Sequence, residues 1–189
     1  MQDTAAFKLA FVGTHGVGKT TLCYGLAARL KRRDISLEVV REVARRCPLP
    51  INEETSLAAQ SWILHTQVAE ELVAANHYDL VICDRSALDN YVYLLLAEGS
   101  QPDLEPMIDQ WMRTYDLLIH APVVERPSAD GVRSDNPAFQ LAIEERLQQE
   151  VAARGLPCLD LARDRRDQWI EEVERVVVER LAPAQLDLL

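Results

Sequence analysis

The chain has 189 residues, 48% hydrophobic and 26% charged, which is enough for one α/β domain with a sizeable core. Its 30 acidic residues outnumber the 20 basic ones, giving a formal net charge of −10 and an isoelectric point near 4.9. Because such a chain attracts polyphosphate only where basic residues are locally concentrated, this balance disfavours a general nucleic-acid binder. We therefore expect a single domain over residues 1–189 and no nucleic acid among its partners.

Cysteine spacing and hydropathy predict where the protein works. The four cysteines are scattered and form no Cys-x-x-Cys pair, which is typical of reduced thiols in a cytosolic protein. Residues 1–6 lack a basic stretch followed by an apolar core, and no apolar run approaches the roughly 18 residues of a membrane span. We expect a soluble cytoplasmic protein without a membrane partner.

Strand and helix patterns alternate along the chain. Buried-strand patterns lie at residues 7–12, 37–40, 80–83, 117–120 and 156–161. Helical periodicity covers residues 20–30, 53–76, 86–97, 103–115, 139–154 and 167–181. Short apolar strands bounded by helices predict a parallel sheet covered on both faces, with ligands bound beyond the carboxyl ends of its strands.

The decisive motif follows the first strand. Residues 13–20 read Gly-Thr-His-Gly-Val-Gly-Lys-Thr and match the G-x-x-x-x-G-K-[ST] pattern completely, between a strand and a helix. The glycines let backbone N–H groups surround an anionic oxygen, Lys19 supplies a charge to the β- and γ-phosphates, and the Thr20 hydroxyl is suited to Mg²⁺. We therefore predict ATP and Mg²⁺ as cofactors. The residues predicted to contact the nucleotide here are Gly13, Thr14, His15, Gly16, Val17, Gly18, Lys19, Thr20 and Thr21.

Polar side chains follow two of the predicted strands. Asp84 comes directly after the third strand, where a carboxylate can hold Mg²⁺, although an ordinary helix N-cap is the alternative. Arg85 follows it and is predicted to face the phosphates. Glu42 comes just after the second strand and is predicted to accept the proton of an acceptor hydroxyl, with Arg45 beside it as an acceptor-binding residue. The alternative for Glu42 is an acid that stabilises a helix N-terminus.

Two further groups of arginines are candidates for the site. Residues 122–137 form the one clearly irregular stretch, and we predict that they are a mobile lid whose Arg126 and Arg133 reach the transferring phosphoryl group. Stray surface arginines are the alternative for this pair. Arg163 and Arg165 follow the fifth strand in a predicted loop that could stack on adenine, although a solvated run of charges is an equal alternative.

These residues together resemble the P-loop nucleoside and nucleotide kinases, with the nicotinamide riboside kinase domain and related small AAA-type ATPases close in layout. Residues 42–45 (Glu-Val-Ala-Arg) look like the deoxyribonucleoside kinase segment in which a glutamate acts as base. Residues 84–86 (Asp-Arg-Ser), followed by 89–92 (Asp-Asn-Tyr-Val), are similar to that family's acidic-Arg-Ser motif and its following Tyr-Val. Residues 130–133 (Asp-Gly-Val-Arg) look like the lid region of nicotinamide riboside kinase domains. The resemblance implies the P-loop NTPase fold with strand order 2-3-1-4-5.

Motifs and resemblance together predict an ATP-dependent kinase. It would move the γ-phosphate to a small nucleoside- or nucleotide-like acceptor, held by Glu42, Arg45 and Arg85, and a monophosphate acceptor would bind to the two arginines. A regulatory ATP-binding switch or ATPase is the first alternative, and a nucleic-acid 5′-hydroxyl kinase is the second. The sequence leaves open a homodimer.

Overall fold

A computed structural model describes residues 6–124, 134 and 136–181 of the chain. Its five strands form one parallel sheet in the order β2-β3-β1-β4-β5, which confirms the predicted sheet and strand order. All four pairings between neighbouring strands are parallel. The strands are β1 (Phe7–Val12), β2 (Leu37–Val40), β3 (Leu80–Asp84), β4 (Leu117–His120) and β5 (Cys158–Asp160).

Six α-helices and three short 3₁₀ turns connect the strands in the described part of the chain. The helices are α1 (Lys19–Lys31), α2 (Leu57–His77), α3 (Ala87–Glu98), α4 (Glu105–Met112), α5 (Pro137–Ala153) and α6 (Trp169–Leu181). The 3₁₀ turns are η1 (Val43–Arg46), η2 (Asn52–Glu54) and η3 (Arg163–Gln168). Each strand thus continues into a helical segment at its carboxyl end, as a parallel sheet requires.

Helix boundaries differ from the prediction where local capping decides them. The second helix was expected from Glu53 but begins at Leu57, because the Ser56 side chain accepts the N–H of Ala59 and caps the helix there. Residues 52–54 form the separate turn η2. Residues 163–166 were expected as a loop and instead begin η3. The acidic and basic side chains of these segments suit a helix start as well as a turn, so composition alone could not separate them.

The central strand β1 is buried on both faces and fixes the position of the site. Leu9 and Phe11 face a core layer formed with α1 and α6, whereas Ala10 and Val12 face a second layer formed mainly with α2, α3, α4 and α5. All four side chains are fully buried. Because β1 lies in the middle of the sheet, the loop that follows Val12 emerges at the centre of its carboxyl edge.

The described residues also bear on the predictions about membrane spans and cysteines. None of their helices combines the length and apolar character of a membrane span. All four cysteines are free, as the spacing predicted. Cys23 and Cys83 lie in the core, where burial raises the pKa of both thiols well above the usual value. These two thiols are therefore unreactive structural groups.

Candidate active site

The glycine-rich loop after β1 has a backbone that only glycines accommodate well. Gly13, Gly16 and Gly18 have φ angles of 139°, 81° and 96°. A Cβ atom on Gly13 would stand 2.6 Å from the carbonyl oxygen of Ala121, so a side chain there would collide with the backbone after β4. Helix α1 starts directly after Gly18, which caps it without a side chain. The first N–H groups of α1 are therefore available to an anion, such as phosphate.

The ammonium of Lys19 closes this loop from inside. Its Nζ donates hydrogen bonds to the carbonyl oxygens of Gly13 (2.7 Å) and Thr14 (2.6 Å), and the side chain is buried. Burial and then the nearby charge of Arg85 lower the pKa of Lys19 to about 8, against the opposing effect of neighbouring carboxylates. A bound anion would stabilise this poorly solvated charge.

Thr20 and Asp84 form a pair of oxygen ligands beside the loop. The Thr20 hydroxyl donates a 2.6 Å hydrogen bond to Oδ2 of Asp84, the last residue of β3. Burial raises the pKa of Asp84. The N-cap of α3 is Ser86, so the alternative of Asp84 as a helix cap is wrong. The described residues contain no cluster of three or more metal-ligating side chains, and a hard cation at this pair would complete its shell with phosphate oxygens and water.

Asp89 ties the phosphate loop to helix α3. Its Oδ1 accepts the Gly13 N–H at 3.0 Å, and its Oδ2 accepts the N–H and hydroxyl of Ser86 at 2.8 and 2.6 Å. Ser86 and Asp89 form a capping box, which the spacing Ser-x-x-Asp signals in the sequence. The bond to Gly13 spans 76 residues and has no local signal. The loop is therefore held in position by α3, the helix that begins just after Arg85.

Glu42, Arg45 and Arg85, which the sequence analysis assigned to the acceptor, meet in one cluster. The Nε atom of Arg85 donates to Oε1 of Glu42 at 2.6 Å, and Nε of Arg45 donates to Oε2 at 2.8 Å. Glu42 is the N-cap residue of η1, but its side chain makes no capping hydrogen bond and binds the two arginines instead. Burial opposes ionisation of Glu42, yet the charges of Arg85 and Lys19 and the two arginine hydrogen bonds lower its pKa to about 2.

This cluster forms one wall of a recess with about 380 Å³ of empty space, part of which is open to solvent. The residues that line it are Glu42, Ala44, Arg45, Ile51, Asn52, Gln60, Arg85, Asn90 and Tyr93. Nη1 of Arg85 and Oε1 of Gln60 are buried and have no hydrogen-bond partner among the described residues. The recess therefore offers a ligand one unsatisfied donor and one unsatisfied acceptor.

Gln60, Asn90 and Tyr93 were not assigned to the site from the sequence, although Asn90 lies in the motif at residues 89–92. Gln60 comes from α2, and Asn90 and Tyr93 come from α3. All three are buried. The available signal was a polar residue on the apolar face of a helix, since such a group needs a partner or a ligand. Their convergence depends on how α2 packs against α3, which the local sequence does not encode.

Tyr93 connects the recess to the phosphate loop. Its ring centroid lies 5.3 Å from the guanidinium carbon of Arg85, and its hydroxyl lies 3.1 Å from Nδ1 of His15. The His15 side chain is buried and stacks on Phe139 with the ring centroids 6.0 Å apart. His15 was predicted to contact the nucleotide, and in this arrangement it can do so only through its backbone.

The remaining predicted arginines occupy different positions. Arg126 and Arg133 lie outside the described residues, as does most of the predicted lid over 122–137. Arg163 and Arg165 are exposed on η3. Arg166 approaches the phosphate loop, because its Nη2 atom lies 3.9 Å from the position of a Cβ on Gly18. The sequence analysis left this neighbour out of the predicted site.

Together the phosphate loop and the sheet order β2-β3-β1-β4-β5 define the P-loop NTPase fold. Among solved structures the chain is similar to deoxyadenosine kinase from M. mycoides with bound dATP, at 17% identity and a TM-score of 0.64, over 91% of this chain and 99% of that one. It is also similar to NadR in complex with NAD and AMP-PNP, at 20% identity and a TM-score of 0.72, over 92% of this chain and 49% of that one. These likenesses establish the fold and confirm the predicted resemblance at that level.

The sequence itself assigns the family. A family model described as an AAA domain matches residues 8–169, which is well over half of the chain. The chain therefore belongs to this AAA domain family. A comparison with curated proteins finds no match.

Proposed function

We propose that this protein transfers the γ-phosphate of ATP to a hydroxyl group of a small nucleoside-like molecule. The observation that carries the proposal is the junction at the end of β3. Asp84 bonds to Thr20 of the phosphate loop, and the next residue, Arg85, bonds to Glu42 in the recess. Two consecutive residues thus serve a nucleotide site and a second ligand site. Hydrolysis of ATP alone needs no such second site.

The donor side fits ATP through its backbone cradle and one buried cation. The N–H groups at the start of α1 and the ammonium of Lys19 would hold the phosphates, because the buried charge of Lys19 favours an anionic ligand. Thr20 and Asp84 would hold Mg²⁺, which neutralises charge on the phosphate oxygens when bound.

Glu42 would orient the acceptor hydroxyl. Its pKa of about 2 keeps it ionised at any working pH, so it can accept a hydrogen bond from that hydroxyl. The hydroxyl oxygen forms the new bond to the γ-phosphorus, the bond from phosphorus to the β–γ bridging oxygen breaks, and ADP leaves. A carboxylate with so low a pKa is a weak base, so it takes the proton late, after the forming bond has made the hydroxyl acidic.

The charges in the recess favour a nucleoside over a nucleotide acceptor. Each oxygen of Glu42 already binds one arginine, Arg85 on one side and Arg45 on the other. A monophosphate would have to compete with Glu42 for both cations and would meet a carboxylate at close range. A neutral acceptor avoids this repulsion and uses the unsatisfied groups of Arg85 and Gln60. We therefore propose an unphosphorylated acceptor.

The AAA domain family match favours one competing candidate, an ATPase or ATP-dependent switch without a small-molecule acceptor. The two candidates differ in one measurable property, which is the dependence of ADP release on an added acceptor. A switch would bind ATP tightly and release ADP at a rate that no acceptor changes.

The test is a turnover screen with purified protein, ATP and Mg²⁺. The added acceptors are cytidine, uridine, adenosine, inosine, nicotinamide riboside, the matching nucleoside monophosphates and a 5′-hydroxyl oligonucleotide. We expect ADP release to depend on a nucleoside, and mass spectrometry to find that nucleoside phosphorylated. ADP release without any acceptor dependence would favour the ATPase, and phosphorylation of monophosphates alone would contradict the proposed acceptor class.

A further inference from the structure

A buried carboxylate that contacts neither the phosphate loop nor the recess lies in the middle of α2. Glu71 is fully buried, and four donors surround it. Its Oε2 accepts from Nζ of Lys8 at 2.8 Å and from the indole N–H of Trp111 at 2.9 Å. Its Oε1 accepts from the Tyr115 hydroxyl at 2.6 Å and from the side-chain amide of Gln67 at 2.9 Å. This is a satisfied charge that cannot change its role without breaking several bonds.

Lys8 fixes which groups of this cluster donate hydrogen bonds and which accept them. Its Nζ lies 4.3 Å from the ring centroids of both Trp111 and Tyr115, in addition to its ion pair with Glu71. Lysine and the indole N–H can only donate, so Glu71 stays the acceptor of the cluster. Every group that touches Glu71 must therefore turn a hydrogen toward it.

Gln67 links Glu71 to the recess, because the orientation of its amide is fixed by Glu71 and in turn fixes the amide of Asn90. Its Nε2 donates to Glu71 and also to the backbone oxygen of Arg85, both at 2.9 Å. Its Oε1 is then left for Asn90, whose Nδ2 donates to it at 2.6 Å. Since an amide has its oxygen and nitrogen on opposite sides, the carbonyl oxygen of Asn90 is turned away from Gln67. Asn90 itself lines the recess.

We propose that Glu71 is a positioning residue that sets the hydrogen-bonding polarity of the recess. Acting through Gln67, it holds Asn90 as a hydrogen-bond acceptor, so that the molecule bound there carries an amino group opposite Asn90. The same amide of Gln67 binds the backbone of Arg85, whose φ of 108° is rare for a residue with a side chain. This inference rests on the proposed function for its ligand, but the relay of amides can be tested without turnover.

The first experiment compares nucleosides that differ in one exchanged group. Cytidine and adenosine carry an amino donor where uridine and inosine carry a carbonyl acceptor. The wild-type protein is expected to favour the amino-bearing member of at least one pair by about tenfold or more in kcat/KM, because the wrong member leaves buried acceptors facing each other. A wild-type protein that prefers the carbonyl-bearing member, or neither, overturns the polarity.

The variant Gln67→Met breaks the relay while keeping a side chain of similar volume. Asn90 is then free to turn its amide either way, so the preference is expected to fall to within about threefold, with the KM for ATP unchanged. A purely structural role of the network would slow both members of a pair equally and leave the preference intact. That result would overturn the proposal.

The second experiment is a double-mutant cycle on thermal unfolding, which needs no acceptor. Asn90→Asp sets an oxygen against Oε1 of Gln67 and is expected to lower the melting temperature. Adding Glu71→Gln supplies a new amide donor, which lets Gln67 reverse and donate to the new aspartate. The double variant is therefore expected to recover part of that loss, since the reversed Gln67 gives up its hydrogen bond to the backbone oxygen of Arg85. The neighbouring change Glu70→Gln, at a partly exposed residue that forms an ion pair with Arg46, is the control that should give no recovery.

The two experiments separate two kinds of failure. Additive melting temperatures in the cycle overturn the relay, whatever the protein phosphorylates. Recovery in the cycle together with no turnover of any nucleoside supports the relay and contradicts the proposed function. If the Glu71→Gln variant does not fold but the double variant does, Asn90→Asp has rescued Glu71→Gln, and this outcome also supports the relay.

Discussion

The phosphate loop and the recess meet at Asp84 and Arg85, yet their electrostatic states are opposite. The loop holds Lys19 in a place where burial lowers its pKa to about 8, so its charge is poorly stabilised until an anion arrives. The recess holds Glu42 between Arg45 and Arg85, which lower its pKa to about 2, so its charge is already stabilised. The loop is therefore built to select by charge, and the recess by hydrogen bonding.

The two regions also differ in what they are made of. The loop presents backbone groups of consecutive residues, which the glycines and the start of α1 hold in place. The recess combines side chains from η1, α2, α3 and the strand end of β3, held by the Glu71 relay. Changes in the loop should therefore affect nucleotide handling alone, whereas changes in the recess should affect the acceptor with little effect on ATP.

The largest expected effect comes from removing the loop's cation. Lys19→Ala should lower turnover by at least about a thousandfold, because the phosphates lose the only charge that the loop itself directs at them. Lys31→Ala, in the exposed last turn of the same helix, is the matched control and should keep full turnover. The measurement is ADP release with a saturating acceptor, with a melting curve to verify folding. Turnover that survives in Lys19→Ala would remove the loop from the mechanism.

A smaller but more selective effect is expected from Glu42→Gln. The amide cannot take the acceptor's proton, so kcat/KM for the acceptor should fall by roughly a hundredfold, while the dissociation constant for ATP changes less than about threefold. Loss of the negative charge also releases Arg45 and Arg85, so the variant should bind nucleoside monophosphates more tightly than the wild type does. Steady-state kinetics and calorimetry measure both quantities.

Glu38→Gln, on β2 four residues before Glu42, is the control for this change and should alter neither constant. If Glu42→Gln weakened ATP binding as much as acceptor turnover, the division of labour between loop and recess would be wrong. If it prevented folding, the arginine cluster would be structural.

The pKa of Lys19 predicts a pH dependence that affects one region and spares the other. Below pH 8 the free ammonium is protonated, and the affinity for ATP should be constant. Above pH 8 the free amine loses its proton, so ATP binding must take one up, and the affinity should fall by up to about tenfold per pH unit. The affinity for the acceptor should not change over the same pH range, because Glu42, with a pKa of about 2, stays ionised throughout it.

Calorimetric titration with ATP at pH 9 in two buffers of different ionisation enthalpy checks this directly. Proton uptake close to one per ATP is expected there, and almost none at pH 6.5. An affinity for ATP that does not change between pH 7 and 9.5 would contradict the lowered pKa of Lys19.

The sequence predicted the features that depend on consecutive residues or on the ends of strands. The parallel sheet was predicted correctly because buried strands are local patterns, and its strand order because the motifs resemble those of a known family. The acids and arginines at strand ends converge because parallel strands end at one edge of a sheet. Gln60, Gln67, Glu71 and Asn90 were missed, since each is an ordinary helix residue until α2 packs on α3. The contacts of Gln67, Glu71 and Asn90 with other elements span 18 to 63 residues, and no local pattern fixes such contacts.

The smallest expected effect decides which arginine after β5 serves the nucleotide. Arg166 approaches Gly18 at the base of the phosphate loop, whereas the sequence favoured Arg163 and Arg165. Because Arg166 is exposed and its charge is screened, Arg166→Ala should raise the dissociation constant for ATP by only about threefold. Arg163→Ala, on the same 3₁₀ turn, should leave it unchanged. The reverse ranking would mean that the nucleotide reaches past the loop to the outer face of η3, as the sequence-based prediction of adenine stacking requires.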